Sequence, residues 1–283
     1  MATSRRYVEL VANVAGSATL IGALLYYFGW ARAAATFRYF GIEIGLLDLS
    51  FQDYLLRSVR STYFPLLTLV VIWLAALLLH RLIAGSRLVG QTGVALVAVG
   101  IAGLVVGGLA NFGYIRFSTA WPVIPALLLA GALACSYGAD LLMTAGGSGP
   151  DGRRSVPASE RALVGVVLVL LLFWLVSSYA NFRGTRNAIA IDRDLQLRPG
   201  VVVLSAADLH LRGAGVTAEP LEGEDSAYRF CYRGLRYLVR SGGRQFLLPE
   251  HWQRGRDPVA VIRESDAVLF EFYSSVRPPS CPR

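Results

Sequence analysis

The feature that most constrains this chain is an uncharged apolar stretch at residues 162–182, bounded by Arg161 and Arg183. A helix rises about 1.5 Å per residue, so a helix of this length crosses the ~30 Å hydrocarbon core of a bilayer. Inside lipid, a helix also pairs its backbone polar groups internally. The stretch therefore predicts a transmembrane helix, and the composition of the chain changes after it.

The composition is typical of a membrane protein. Hydrophobic residues make up 54% of the chain and charged residues 16%, whereas soluble domains carry about 25% charged residues. Four more uncharged apolar runs come earlier, at residues 10–31, 63–79, 92–110 and 120–143. The five runs predict a transmembrane domain at residues 1–183, an all-α helical bundle of about five membrane helices.

The remaining residues, 184–283, predict a small soluble domain rich in antiparallel β structure. Its start continues the last helix, and strands follow at 201–204 and 228–233, the second alternating aromatic residues with Arg and Cys and therefore half-buried. Two turn sequences, Ser241-Gly-Gly-Arg244 and Glu264-Ser-Asp266, each lie between strand-like runs. Each turn predicts a hairpin between its own flanking strands.

The connection after the first run is apolar but interrupted by charges. Ser50 and Asp53 are typical of a helix start. The apolar residues that follow recur at helical spacing and predict a short amphipathic helix on the membrane surface; they are Phe51, Tyr54, Leu55, Leu56 and Val59. We favour an interfacial connector over a gate or a ligand-facing segment, because amphipathicity alone specifies no chemistry.

The first run competes with a cleaved signal peptide. The motif Ala31-Arg32-Ala33 has the A-x-A form of a cleavage site. The run at 10–31 is longer than the roughly 7–15 apolar residues of a signal peptide. The length favours a retained helix.

Small residues predict how two of the membrane helices pack. Gly103 and Gly107 form a G-x-x-x-G pattern in the third run, and small residues repeat every four positions in the fourth run. Small residues at this spacing let helix backbones approach closely, so we expect these two helices to form an antiparallel pair. The expected contact residues of the fourth run are Ala126, Ala130, Ala134 and Gly138.

Two of the three cysteines, Cys231 and Cys281, lie in the predicted β domain, and Cys135 lies in a membrane run. A disulfide between Cys231 and Cys281 suits an extracytoplasmic domain. The alternative is two thiols, one packed in the domain and one at the end of the chain. The sequence does not decide between them, because it gives no distance between the two Cα atoms.

Candidate catalytic and metal-binding residues are few. Asp208 and His210, with Glu250 and His251, are the best set of metal ligands, and Ser205 with His210 is the best nucleophile pair. Their spacing does not indicate that they converge, and no catalytic or phosphate-binding motif is present. We therefore predict no catalytic residue, no metal and no cofactor.

The chain carries a net charge of +8, and its 27 basic residues are all arginine. Arginine-only usage is typical of a GC-rich genome, and no nucleic-acid-binding signature accompanies it. A nucleic-acid partner is not expected. The arginines of 228–240 are interpreted as a solvated face, with anionic headgroups as the alternative ligand.

Aromatic residues cluster at one set of helix ends, which predicts an aromatic belt at one membrane surface. Arginines in the short loops favour a cytoplasmic N-terminus and an extracytoplasmic C-terminal domain. The first loop disagrees, because this orientation places four of its arginines outside; they are Arg32, Arg38, Arg57 and Arg60.

The sequence YRFCYRGLRYL at 228–238, followed by SGGRQFLLPEHW at 241–252, resembles the C-terminal part of uncharacterised multi-span membrane proteins of high-GC Gram-positive bacteria. The resemblance extends to 201–205 and the last membrane run, roughly half the chain. That family has no known activity, so the resemblance implies a domain boundary and no functional residue.

These observations lead to one functional prediction with two alternatives. We expect a non-enzymatic, multi-pass protein of the cell membrane whose exposed β domain senses or binds a partner. Its partners are the lipid bilayer and either another protein or further copies of itself, through the membrane helices. The alternatives are a transporter or pore-forming subunit and, second, a membrane-anchored hydrolase.

Overall fold

The structure is a computed structural model with two compact units. The helical unit comprises Met1–Gly29 and Ser58–Phe182, and the sheet unit comprises Trp30–Arg57 and Arg183–Arg283. The structure describes residues 2–56, 67–68, 70–72, 74–75, 77–78, 81, 89–115, 122–146, 157–221, 227–274 and 279–281.

Four long helices are described: α1 (Ala2–Tyr39), α2 (Val89–Asn111), α3 (Val123–Gly146) and α4 (Ala158–Arg193). In the part of the chain that the structure describes, three helical stretches are long and apolar enough to cross a membrane: Val89–Asn111, Val123–Met143 and Ala158–Arg193. Long apolar helices at the third, fourth and fifth apolar runs are thus confirmed. The first run lies within α1, and the second is described only at separate helical residues, so the count of five stays a prediction.

Helices α2 and α3 form the antiparallel pair that the small residues predicted. Gly93 of α2 lies beside Gly138 of α3, and Gly107 lies beside Leu128 at the opposite end. The closest approach is at Gly100, where an added Cβ would lie 2.7 Å from the carbonyl oxygen of Gly131. Glycine therefore sets the distance between these backbones.

The contact face of α3 differs from the predicted alanine row. Gly138 belongs to it, but its other close contacts are Leu128, Gly131 and Cys135, while Ala130 is exposed. Each helical residue advances about 100°, so a strict four-residue repeat drifts around the helix, whereas steps of three and four stay on one face. Ala126 and Ala134 are half-buried.

The sheet unit contains six antiparallel strands. Their order is β5-β4-β3-β1-β6, and β2 pairs with the start of β3. The strands are β1 (Gly200–Ser205), β2 (Thr217–Pro220), β3 (Phe230–Ser241), β4 (Arg244–Pro249), β5 (Ala260–Arg263) and β6 (Val268–Tyr273).

One predicted hairpin is confirmed and the other is wrong. Ser241 pairs with Arg244, and Gly242 and Gly243 between them have φ of 56° and 66°, values that a two-residue hairpin turn requires and glycine adopts freely. The strands around 264–266 do not pair with each other: β5 pairs with β4 and β6 with β1. A local sequence pattern predicts a strand, but which strands pair depends on contacts across the whole sheet.

The edge strands β5 and β6 are joined only by residues 264–267. Apolar residues from five strands meet on one side of the sheet, which we call the inner side; they include Val201, Val203, Tyr232, Leu235, Leu247, Ile262 and Phe270. On the outer side, Cys231 is as fully buried as its neighbour Tyr232, at 0% exposed, whereas Arg229 is exposed and Arg233 is half-buried. The outer side of the predicted half-buried strand at 228–233 is thus covered at Cys231 but not at Arg229.

The outer side of β3 and β4 packs against the ends of two helices and the segment that follows α1. This cluster combines Ala33, Phe37, Phe40, Ile42, Leu47 and Tyr54 with Ala188, Leu195, Leu238, Val239, Phe246, Leu248 and Trp252. Residues 30–57 are thus part of the sheet unit's core. The sequence had assigned them to the membrane domain as an interfacial connector.

The predicted helix after Ser50 is present, but its apolar residues are divided between two environments. The backbone N–H of Asp53 donates to Ser50 Oγ at 3.2 Å, and that of Ser50 donates to Asp53 Oδ2 at 2.9 Å, the reciprocal bonding of a helix cap. Tyr54 is buried, at 6% exposed, whereas Phe51 and Leu56 are 54% and 74% exposed. Val59 lies outside the described residues.

We expect Gly100→Ala to lower the thermal stability of the full chain in detergent by roughly 1–3 kcal/mol, because the new methyl group would meet the α3 backbone. Gly108→Ala is the matched control: it lies on the same helix, and an added Cβ there has no atom within 4 Å. Equal stability of the two variants would contradict this packing.

Candidate functional site

The most extensive buried polar network of the sheet unit surrounds Arg236 on β3, which is 1% exposed. Its guanidinium forms an ion pair with Glu250 after β4. It also donates to Gln196 Oε1 at 3.0 Å and to the carbonyl oxygen of Arg198 at 3.1 Å. Both of these residues belong to the short linker between α4 and β1. One buried cation therefore bonds the linker and two parts of the sheet.

Arg198, which lies in the linker, donates hydrogen bonds to the sheet. Its Nε donates to the carbonyl oxygen of Tyr237 at 2.7 Å and its Nη2 to that of Leu238 at 2.9 Å. Burial lowers the pKa of Arg198 from its usual value. Each arginine thus donates to backbone carbonyl groups of the other's segment, Arg236 to that of Arg198 and Arg198 to those of Tyr237 and Leu238; we call this arrangement the arginine clasp.

A tyrosine completes the surroundings of the clasp. The ring of Tyr273 lies against Gly200, where any Cβ would overlap it, and the guanidinium carbon of Arg236 is 5.9 Å from the ring centroid. Burial is the main cause that raises the pKa of Tyr273. The buried Arg236 charge is thus bonded to groups of the protein itself. The clasp is therefore a joint between the end of α4 and the sheet.

A second joint connects α1 with α4 and the loop after β4. The hydroxyl of Tyr39 donates to Asp192 Oδ2 at 2.7 Å, and this bond is the main cause that raises the Tyr39 pKa. The guanidinium carbon of Arg254 lies 4.3 Å from the Tyr39 ring centroid, within cation–π range. Phe40 packs on Trp252 with ring centroids 5.2 Å apart. The ends of both helices are thereby fixed to the sheet unit.

The predicted metal ligands Asp208 and His210 lie in the loop after β1. His210 Nδ1 is 2.8 Å from Asp208 Oδ2, and Asp208 Oδ1 accepts the hydroxyl proton of buried Tyr232 at 2.5 Å. The Tyr232 oxygen in turn accepts the N–H of Leu209 at 2.7 Å. His210 has a φ of 49°, a left-handed conformation uncommon for a non-glycine residue. Asp208 therefore anchors this loop to the sheet.

The other predicted ligands and the nucleophile have different surroundings. Glu250 pairs with Arg236, and the N–H of His251 donates to the carbonyl oxygen of Ala214 at 3.1 Å. Ser205 is 1% exposed within β1, which closes it to a substrate. Within the described residues, no group of three metal-binding side chains occurs.

Cys231 and Cys281 are joined by a disulfide, with their Cα atoms 6.2 Å apart. The sequence left open a disulfide or two separate thiols, and the structure contains the disulfide. The bridge places Cys281 beside a second outer cluster of the sheet, which contains Val202, Leu204, Leu221, Tyr228 and Tyr273. Cys135 is free, between α2 and α3.

No protein-family model matches the chain, and the comparisons found no curated protein and no solved structure that matches it. The sequence did not predict the clasp. Its arginines look like any of the 27 in the chain, and the one local signal is that Arg236 lies among apolar residues of a long strand.

We expect Arg236→Met to destabilise the sheet unit by roughly 3–5 kcal/mol, because it leaves the Glu250 carboxylate and the linker carbonyl without their buried partner. Arg240→Met on the same strand is the control. Arg240 also pairs with a glutamate, Glu264, at 2.6 Å, but its side chain is 63% exposed, so the loss should be much smaller than for Arg236→Met. The measurement is chemical unfolding of both full-length variants, and equal losses would show that the clasp is not a stabilising joint.

The loop after β1 should depend on pH. The Tyr232 hydroxyl, as the main cause, holds the pKa of Asp208 below its usual range. A carboxylate with a lowered folded pKa stabilises the protein above its unfolded pKa of about 3.9, and this is lost as the pH falls through the folded value. The stability difference between wild type and Asp208→Asn should be constant from pH 7 to about 5 and should shrink below about pH 4. A difference that persists unchanged at low pH would show that the charge of Asp208 is not involved.

Proposed function

We propose that this chain is a five-span protein of the cell membrane whose sheet unit senses or binds a partner outside the cell and performs no catalysis. The observation that carries the proposal is the way the sheet is attached. The ends of α1 and α4 lie inside the core of the sheet unit, and the arginine clasp and the Tyr39 cluster fix them there. A mechanical force on the sheet, or a ligand bound to it, therefore acts directly on the ends of two helices.

The attachment distinguishes this unit from a domain on a flexible tether. Only residues 194–199 separate α4 from β1, and the side chains of Gln196 and Arg198 in this linker are hydrogen-bonded to the sheet unit. Inter-domain tethers that permit free motion are rich in glycine, serine or proline and make few contacts. A stiff connection supports a sensing or force-bearing role.

The disulfide supports the outside orientation. Disulfides persist in oxidising compartments and are rare in the cytosol. The bridge between Cys231 and Cys281 thus favours an extracytoplasmic sheet unit and a cytoplasmic N-terminus. The resemblance to high-GC Gram-positive membrane proteins stays a prediction and contributes no activity.

Site-specific photo-crosslinking in the membranes of the native host tests the proposal. A photoreactive residue replaces Phe272 on β6 or Val261 on β5, which are 52% and 49% exposed. We expect a crosslinked product of one defined mass from the sheet positions. The control is Val99 on α2, 67% exposed, which should crosslink only to lipid.

Two results would contradict the proposal. One is the same product pattern from the sheet positions and from Val99, because the sheet would then have no specific partner. The other is solute flux through proteoliposomes of the purified chain that exceeds flux through empty liposomes, because it would favour the transporter or pore alternative.

A further inference from the structure

The arginines on strands β3, β4 and β5 divide into two groups by their partners. The three on β3 each form an ion pair with a glutamate: Arg233 with Glu219, Arg236 with Glu250 and Arg240 with Glu264. Arg244 of β4 and Arg263 of β5 form no ion pair with any residue that the structure describes. These two positive charges are therefore not neutralised by the described part of the sheet unit.

Arg244 and Arg263 lie directly opposite each other in the pairing of β4 with β5. Directly opposite residues of antiparallel strands share one face of the sheet, with Cβ atoms about 4.5–5.5 Å apart. Phe246, two residues after Arg244, belongs to the apolar cluster on the outer side, so both arginines are on the outer side. Like charges placed directly opposite are destabilising. An anion bound between the two guanidinium groups removes this repulsion.

A buried hydroxyl group lies in line with the two arginines. Ser241 of β3 is directly opposite Arg244, so Ser241, Arg244 and Arg263 form one row across three strands, which we call the outer row. Ser241 is 7% exposed, and its Oγ is buried without a hydrogen-bond partner. Buried polar groups in proteins are nearly always hydrogen-bonded. The outer row thus supplies one hydroxyl and two guanidinium groups that can donate to an acceptor near Arg244, its middle residue.

The carboxylate that follows Arg263 in the sequence is bonded elsewhere. Glu264 Oε1 accepts from Arg240 Nε and from Gln245 Nε2, each at 2.6 Å. Gln245 lies between Arg244 and Phe246 on β4, so its side chain is on the inner side of the sheet. Glu264 is therefore engaged on the side of the sheet opposite to the outer row.

The turn between β3 and β4 has one occupied and one open position. At Gly242 an added Cβ would overlap the carboxylate of Asp48, which forms no ion pair with the described arginines. At Gly243, next to Arg244, an added Cβ meets no atom within 4 Å. Space for a ligand is therefore available beside the middle residue of the outer row.

We propose that Ser241, Arg244 and Arg263 bind a phosphate group, carried either by a lipid headgroup or by a soluble phosphate. Each guanidinium group presents a planar fork of N–H donors that matches two phosphate oxygens. A phosphate monoester carries up to two negative charges and has oxygens for both forks and for the Ser241 hydroxyl. A carboxylate has a single charge and two oxygens, so it leaves part of the outer row unbonded. The inference rests on the proposed function only in assigning a binding role to the sheet unit.

Isothermal titration calorimetry of the full chain in a neutral detergent, in a buffer without phosphate, tests the site. The probes are inorganic phosphate and the short-chain lipid dihexanoyl phosphatidic acid, and succinate is the dianion without phosphorus. We expect saturable binding of phosphate and none of succinate. Tighter binding of the lipid than of inorganic phosphate would assign the site to headgroups, and equal or weaker binding of the lipid would assign it to soluble phosphate.

Variants of the outer row locate the binding. Arg244→Gln and Arg263→Gln should each weaken it about tenfold or more, because each removes charge-assisted hydrogen bonds. Arg229→Gln is the matched control: it removes the same charge from an exposed arginine just before β3, at the opposite end of that strand from Ser241, and should bind as wild type does. The thermal stability of Arg263→Gln should not fall, since the substitution removes one of two opposed like charges.

Three results would overturn the inference. The first is no binding of either phosphate probe. The second is an equal loss of binding in Arg229→Gln and Arg263→Gln, because net charge and not the outer row would then hold the anion. The third is binding of succinate as tight as that of phosphate. Any of these leaves the crosslinked product of the proposed function unaffected, and absence of that product leaves phosphate binding unaffected, so the two failures are distinguishable.

Discussion

The structure of the sheet unit depends on one apolar cluster that joins distant parts of the chain. Helix ends from α1 and α4 and the segment after α1 cover the outer side of β3 and β4. Without them Phe246 and Leu248, now at most 1% exposed, would face water, and burying each such side chain contributes about 1.5–3 kcal/mol. The sheet is therefore complete only after the last membrane helix has been made.

The polar interactions have a different role from the apolar cluster. A buried ion pair adds little net stability, because desolvation offsets much of the attraction, but losing one partner is costly. Arg236 donates to the carbonyl oxygen of Arg198, and Arg198 donates to that of Tyr237 beside Arg236, so the two side chains define one geometry for the α4–β1 linker. The apolar cluster holds the helix ends against the sheet, and the clasp fixes the linker between α4 and β1.

The predictions that succeeded rest on local periodicity and turn chemistry. The apolar runs predicted α2, α3 and α4, and Gly242-Gly243 predicted the β3–β4 hairpin, because each depends on residues next to one another. The predictions that failed concern which surfaces meet. Ala130 follows a small-residue pattern yet is exposed, since Gly131, a neighbour about 100° around the helix, makes the contact. The predicted hairpin of β5 with β6 is wrong because β5 pairs with β4 and β6 pairs with β1.

The sequence by itself determined that the chain has helices long and apolar enough to cross a membrane, that a β domain follows, and which two cysteines that domain contains. Charge, hydropathy and turn residues act over a few positions, so their structural effects can be predicted from neighbouring residues in the sequence. Only the tertiary structure decided that residues 30–57 belong to the β domain and that Arg236 is buried. Both facts depend on contacts between residues separated by more than a hundred positions or by several strands, and no local pattern encodes which distant surface a side chain will meet.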